Sequence, residues 1–406
     1  MPRVSARLSR RLQLVPYGPD AEADPGSLDA DRFVDRATDE LARLRVAGVV
    51  SSSDYPGCLL AAVIAERLGL PGAPPTAMLR ASHKYFARES LLRSVPEATP
   101  RFQLVDPDRL FDIRDLLSFP LFIKPVKSWF SQFAQRVDSF EELAAYAGSH
   151  QVKHHLRHFV RPLNQLLAPH PEFTHDAGHL LAEEVLVGLQ VTAEGYVFDG
   201  RTRMLTIVDS DMYADSGSFE RFVLPSNMGA DQAADLAILC DRAVRGLGFT
   251  HGLFNIEFIY EPLTGRASIV EVNPRMCGQF ADLTEHVTGV NTYQVLCDLG
   301  LGIDPSPPPR PRGPAAGASY PFRRFGDATV ISVPGASDVD RIQRRTAATL
   351  IAIYYDVGEK LSDRPKNSDG ESYRYACVNV VGTQRSQLDV LARSVEHQLA
   401  IELADP

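Results

Sequence analysis

The sequence predicts an α/β protein of several units, on three observations: a strand-to-helix pattern at residues 45–72, two acidic strands at 254–273 whose carboxylates share a face, and a proline-rich break at 303–319. At 406 residues the chain is too long for one ordinary core. Its 44% hydrophobic and 23% charged content is that of a globular protein, and no window approaches the roughly 18 apolar residues that span a bilayer. A net charge of -9 disfavours nucleic acid as a general partner. The five cysteines are widely spaced, which argues against a disulfide framework and for a reducing cytoplasm.

Taken in order, the acid-free, Arg-rich start MPRVSARLSRRLQLV lacks a signal peptide's apolar run and leads into a first strand. Residues 45–72 read as an apolar strand, a polar turn and an apolar-periodic helix closed by Gly69 and Pro71. A helix follows at 83–95, and FPLFIKPV (119–126) is a strand carrying a lysine. Residues 139–168 are helical and His-laden, and LLAEEVLVG (180–188) is a short strand or hinge. The alternating runs around Asp199-Gly200 make a hairpin, and 230–249 is a helix ending at glycines. Beyond the semi-rigid connector IDPSPPPRPRGPAAGAS, residues 320–406 form strands and two helices.

The acidic strands carry the chemistry. Folding FNIEFIYE back on SIVEVN sets Glu257 opposite Val270 or Glu271, depending on one residue of loop length; with the polar faces kept together it is Glu271, with Asn255 and Asn273 nearby, while Ile256, Phe258, Val270 and Val272 face the core. Directly opposed Cβ atoms lie about 5 Å apart, so the two carboxylates repel and one keeps a proton unless a cation intervenes. A hard divalent ion removes the conflict, with Asn273 as a neutral oxygen ligand. Arg275, placed by Pro274 just past the strand, presents a fork suited to carboxylate or phosphate. Lys124 sits inside a strand, where a lysine needs an anion, and Ser128 and Ser131 follow as further anion donors.

Two other patterns carry no site. GYVFDGRT (195–202) nearly spells a phosphate-cradling loop, but it runs into a strand rather than a helix. His150, His154 and His158, at helical spacing, read as a polar helix face rather than zinc ligands.

These pieces, in this order, resemble the ATP-grasp superfamily and within it the carboxylate-amine ligases, such as L-amino-acid ligases and D-alanine:D-alanine ligases. The matching stretches are HKYFAR (83–88), FIKPV (122–126), AEEVLVG (182–188), FNIEF (254–258), VEVNPRMCGQF (270–280) and TEHVTGVN (284–291). The resemblance implies an α/β (α+β ATP-grasp) fold with a pre-ATP-grasp α/β domain over 1–82 and an ATP-grasp domain over 83–302. Residues 120–188 would be its lid subdomain, 303–319 a linker and 320–406 a small C-terminal α+β domain. It implies that Lys84, Lys124 and Ser131 contact ATP phosphates, that the hinge at Glu183, Glu184 and Leu186 binds adenine, and that Gln190 takes the ribose. Glu257, Glu271 and Asn273 would hold Mg²⁺ or Mn²⁺, Arg275 would support an acyl phosphate, with Asn273 beside it, and Gly278 would let backbone approach the substrate. The implied partners are a small carboxylate and an amine, with no nucleic acid or membrane and a homodimer allowed. Other ATP-grasp chemistry, carboxylation or phosphotransfer, and a degenerate nucleotide-binding module are the competing readings. The sequence departs from the family after Lys124, where Trp129, Phe130 and Phe133 replace a Gly-rich loop.

Overall fold

The computed structural model describes residues 12–18, 24–305 and 315–405. The Arg-rich start through residue 11 and the proline-rich stretch 306–314 lie outside them. The first described unit is helical. Ala30–Leu44 begins at Asp29, whose carboxylate accepts from the Arg32 N–H, and buries Phe33, Val34, Ala37 and Leu41. The expected strand at 45–50 is not formed: the segment is irregular, Val46 and Val49 pack against the core, and no described strand precedes Phe102. An apolar run marks burial, and here its backbone finds no neighbouring strand to pair with. The helix after it, Gly57–Arg67, is present and largely buried.

Two antiparallel sheets follow. The smaller, in the order β1 (Phe102–Val105), β4 (Leu180–Glu184), β2 (Leu121–Pro125), β3 (Gln135–Val137), is backed by the helices Phe140–Gly148 and His150–His158. The larger has eight strands. Its chain order is β5 (Leu189–Phe198), β6 (Arg201–Met212), β7 (Phe219–Leu224), β8 (Gly252–Tyr260), β9 (Ala267–Asn273), β10 (Ala316–Phe325), β12 (Ala348–Ile353) and β13 (Ser372–Gly382). Their spatial order is β12-β13-β10-β7-β6-β5-β8-β9, so three strands from beyond residue 315 join the same sheet as the acidic hairpin. β11 (Thr329–Ser332) and β14 (Glu402–Ala404) form a separate pair.

The hairpin β5–β6 turns at Asp199 and Gly200, both with positive φ (47° and 71°), as a two-residue turn between right-twisted strands requires. This rules out the phosphate-loop look-alike. One face of the large sheet is apolar. Val191, Ala193, Ile256, Phe258 and Val272 share a core with Leu236, Cys240, Ala243 and Val244 of the helix Ala230–Leu247. Ala318, Val378 and Val380 pack with Ile342, Leu388, Ala392 and Val395 of two later helices. The period of two then places polar residues on the opposite face, where Gln190, Thr192 and Glu194 stand beside Glu257 and Asn255, and Ser319 beside Asn379. That polar face is the floor of the site.

Candidate functional site

The register of β8 and β9 decides the geometry. Glu257 lies opposite Glu271 and Asn255 opposite Asn273, as the alternation predicts. The next pair is Phe258 with Ile269, which leaves Val270 as an extra, unpaired residue on β9. Its carbonyl, freed from the ladder, accepts from Arg88 Nη2 at 2.8 Å and Lys124 Nζ at 3.2 Å. A one-residue bulge thus ties the acidic hairpin to two cations from other elements.

Each acid has a distinct environment. Asn273 Nδ2 and Gln190 Nε2 donate to Glu257 at 3.2 and 3.0 Å, so Gln190, expected at a ribose, stands on the carboxylate cluster. Burial and then the charge of Glu271 hold the Glu257 carboxyl above the usual range. Glu271 meets Lys84 Nζ at 3.0 Å; burial would raise it too, but Lys84, Lys124 and Lys127 outweigh that and keep it ionised. Lys84 is placed by the start of the helix Lys84–Ser94, whose first N–H bonds the Val126 carbonyl at 3.0 Å.

Glu183 is 4% exposed, and its oxygens take Lys124 Nζ at 2.6 Å and Arg88 Nε. Its side chain is occupied and holds Lys124 in place; its backbone lies in a strand paired on both sides. Glu184 is tied to Arg101 and Arg266, and the chain leaves the ladder only beyond it, at half-buried Leu186.

Three residues that the motifs did not single out complete the cluster. Asp54, from the polar turn before Gly57, accepts from Arg275 Nε and Nη2 at 3.2 and 2.8 Å and meets Lys127 Nζ at 3.4 Å. Burial opposes its ionisation, but Arg275 and Lys127 hold Asp54 far below the ordinary range. The third is Arg88. Asp54 stood in view in SSSDYPG, Lys127 in KPVKSW and Arg88 in HKYFAR; no local pattern says that three distant segments meet. Five cationic side chains (Lys84, Arg88, Lys124, Lys127, Arg275) therefore surround four acids, and burial and the charge of Glu271 raise one of these, Glu257. The cluster carries a surplus of positive charge, as a polyphosphate site requires.

The loop after β2 packs its aromatics against the helix His150–His158 and Phe159 at its end. The rings of Trp129 and Phe159 are 5.0 Å apart and those of Phe133 and His155 4.9 Å. Phe130, Ser131 and Phe133 all have positive φ (48°, 56° and 59°), a conformation that costs a non-glycine residue about 1 kcal/mol each. Ser131 is at its exposed tip, and Gly278 is exposed in the loop after Arg275 with only Tyr293 Oη, at 3.6 Å, near the place of a Cβ. His150, His154 and His158 stack along one helix, and among the described residues no three of His, Cys, Asp and Glu converge as metal ligands.

Beneath the loop, Glu194 is 3% exposed; its Oε1 accepts from the Cys277 N–H at 2.7 Å and Asn255 Nδ2 at 3.2 Å. Burial pushes its carboxyl up to about 7. A carboxyl raised by folding binds a proton that the unfolded chain has lost, so its contribution to stability is full below about 4.5 and fades as pH rises through about 7. Melting curves at pH 5 and 8 therefore show the wild type losing more stability over this interval than Glu194→Gln, which keeps both acceptor contacts; parallel losses would contradict the assignment.

Residues 117–283 match the model of a family described as ATP-grasp domain. Among curated proteins, carnosine synthase 1 of Gallus gallus is 28% identical over 317 residues, covering 75% of this chain and 33% of the relative, so the chain spans about a third of that protein's length. Among solved structures, L-amino acid ligase from Bacillus licheniformis superposes with a TM-score of 0.70 at 19% identity, covering 93% of this chain and 86% of the other. The biotin carboxylase domain of 2-oxoglutarate carboxylase from Hydrogenobacter thermophilus, solved with MgADP and bicarbonate, gives 0.62 at 14% identity, covering 93% and 80%. The chain has the ATP-grasp fold, and residues 117–283 are the part that matches the ATP-grasp domain model.

Proposed function

We propose that this chain is an ATP- and Mg²⁺-dependent ligase, acting in the cytoplasm, that joins a carboxylate to an amine through an acyl phosphate and releases ADP and phosphate. The observation that carries the reading is the in-register pair Glu257 and Glu271, inside a cluster with surplus positive charge, beside Arg275. The similarity to proteins named L-amino acid ligase and carnosine synthase supports it.

The donor set fits a divalent ion: two carboxylates and the Asn273 amide are the short set a phosphate-bridged Mg²⁺ uses. Such an ion, when bound, would neutralise phosphate charge and offset the repulsion between Glu257 and Glu271. Lys84 and Lys124 hold the phosphates, Lys124 being aimed by Glu183. The hinge at 184–186 takes the adenine.

In the first step a carboxylate oxygen forms a bond to the γ-phosphorus and the bond to the β-bridging oxygen breaks, releasing ADP. In the second the amine nitrogen attacks the acyl carbon, the carbon–oxygen bond breaks, and phosphate leaves as the nitrogen loses a proton. Arg275, fixed by Asp54, faces the charge that develops on the acyl phosphate. The loop at 128–134 shields that intermediate from water.

The test is ADP and phosphate release from Mg-ATP across a matrix of carboxylic acids, each with and without an amine. Release that needs both partners, with a condensed product by mass, supports the reading. ATP that raises the melting temperature without yielding ADP overturns it in favour of a nucleotide-binding module.

A further inference from the structure

The surplus cation farthest along the sheet from this cluster is Arg374. On β13, Phe322 pairs with Ala376 but Arg323 pairs with Arg374, so Tyr375 is an extra residue. The bulge changes which face the strand presents. Ala376 and Val378 enter the apolar core with Tyr375 packed against it, while Arg374 turns to the polar face that carries Cys377 and Asn379. There it stands beside Arg323, and the two arginines have one carboxylate between them. Asp369 takes Arg323 Nη1 at 2.6 Å, and among the described residues Arg374 has no acidic partner. Its guanidinium instead lies 4.6 Å from the Tyr354 ring centroid and 5.4 Å from that of Phe130, the residue at the head of the aromatic loop. A half-buried guanidinium flanked by rings, with its planar fork free, suits a carboxylate.

Its surroundings lead to the reacting end. The Tyr354 backbone N–H donates to the Tyr375 carbonyl at 3.0 Å, Cys377 Sγ lies 3.3 Å from Ser319 Oγ, and Ser319 receives Gln279 Nε2 at 2.9 Å. Asn379 Nδ2 donates to the Gln279 carbonyl at 3.1 Å, which pins the loop after Arg275 onto these strands. On the same face Asn379 Oδ1 and Ser210 Oγ are buried without partners, a polar floor whose capacity is unfilled.

We propose that Arg374 receives a free carboxylate on the amine-bearing substrate, which makes that substrate an amino acid, and that Phe130 covers the contact. The inference rests on the ligase reading. The acyl phosphate forms at β8 and β9, and the loop after Arg275 runs from there to β13, so a group anchored on β13 and reaching back along it belongs to the attacking partner. The carboxylate stays intact in the product.

The experiment uses the full chain with Mg-ATP, the acyl donor found in the matrix, and the twenty L-amino acids each beside its α-amide. The wild type prefers the free acid by about 10- to 100-fold in kcat/KM, the discrimination of one charge-assisted bidentate contact. Arg374→Gln brings that ratio to about 1, chiefly through KM, and Arg374→Lys retains part of it. Arg374→Gln that keeps the wild-type preference overturns the inference and leaves the ligase reading standing. Should the wild type release no ADP with any pair, the ligase reading fails by itself. Melting shifts with the same amino acids and amides, in the presence of MgADP, then decide the anchor: a shift by the acids that Arg374→Gln abolishes supports it, and no such shift overturns it.

Discussion

Glu271→Gln lowers kcat for ADP release by at least about 10²–10³-fold while the protein stays folded. The change is nearly isosteric and removes one negative charge. In the wild type that charge is balanced by Lys84 at 3.0 Å, so the variant adds to a surplus of positive charge already present. Nucleotide without metal then binds comparably or more tightly, and it is the Mg²⁺ dependence of turnover and of melting temperature that collapses. Glu257→Gln has a smaller effect on stability, because burial and Glu271 already disfavour the charged form of Glu257. Turnover of Glu271→Gln at the wild-type rate would sink the metal assignment.

Asp54→Asn has the second-largest effect and separates two roles. Asp54 is the acid within reach of both Arg275 and Lys127, and removing one partner of a buried pair costs about 3–5 kcal/mol. Its side chain is 24% exposed, so the lower end applies. The melting temperature falls, and kcat falls further than stability alone explains, because Arg275 loses the two bonds that fix its fork. Measured at a temperature where the variant is fully folded, kcat drops roughly 10-fold or more, the cost of a reacting group held loosely. An unaltered kcat with a lowered melting point would make Asp54 purely structural.

The acidic hairpin was legible because two local rules combine there. The turn leaves two registers one residue apart, and the period of two decides between them by keeping the polar faces together, so Glu257 faces Glu271 as expected. Val270 shows the limit of those rules. Alternation puts it in the core, but the bulge leaves it half-buried, with its carbonyl turned to Arg88 and Lys124. Lys124 was visible as a lysine out of place in a strand, whereas Glu183, its partner, read as part of a hinge. Pairing across strands more than fifty residues apart leaves no trace in either segment. The apolar run at 45–50 marked burial, and burial alone could not say whether a sheet partner would be present.

In the proposed reaction ATP activates a carboxylate by phosphorylating it. The most direct test supplies the acyl donor with ¹⁸O in its carboxylate and weighs the released phosphate. The reaction proposed here passes one of those oxygens to phosphorus, so the phosphate carries one ¹⁸O for each amide formed. Unlabelled phosphate alongside product would contradict an acyl phosphate and return the site to another use of ATP.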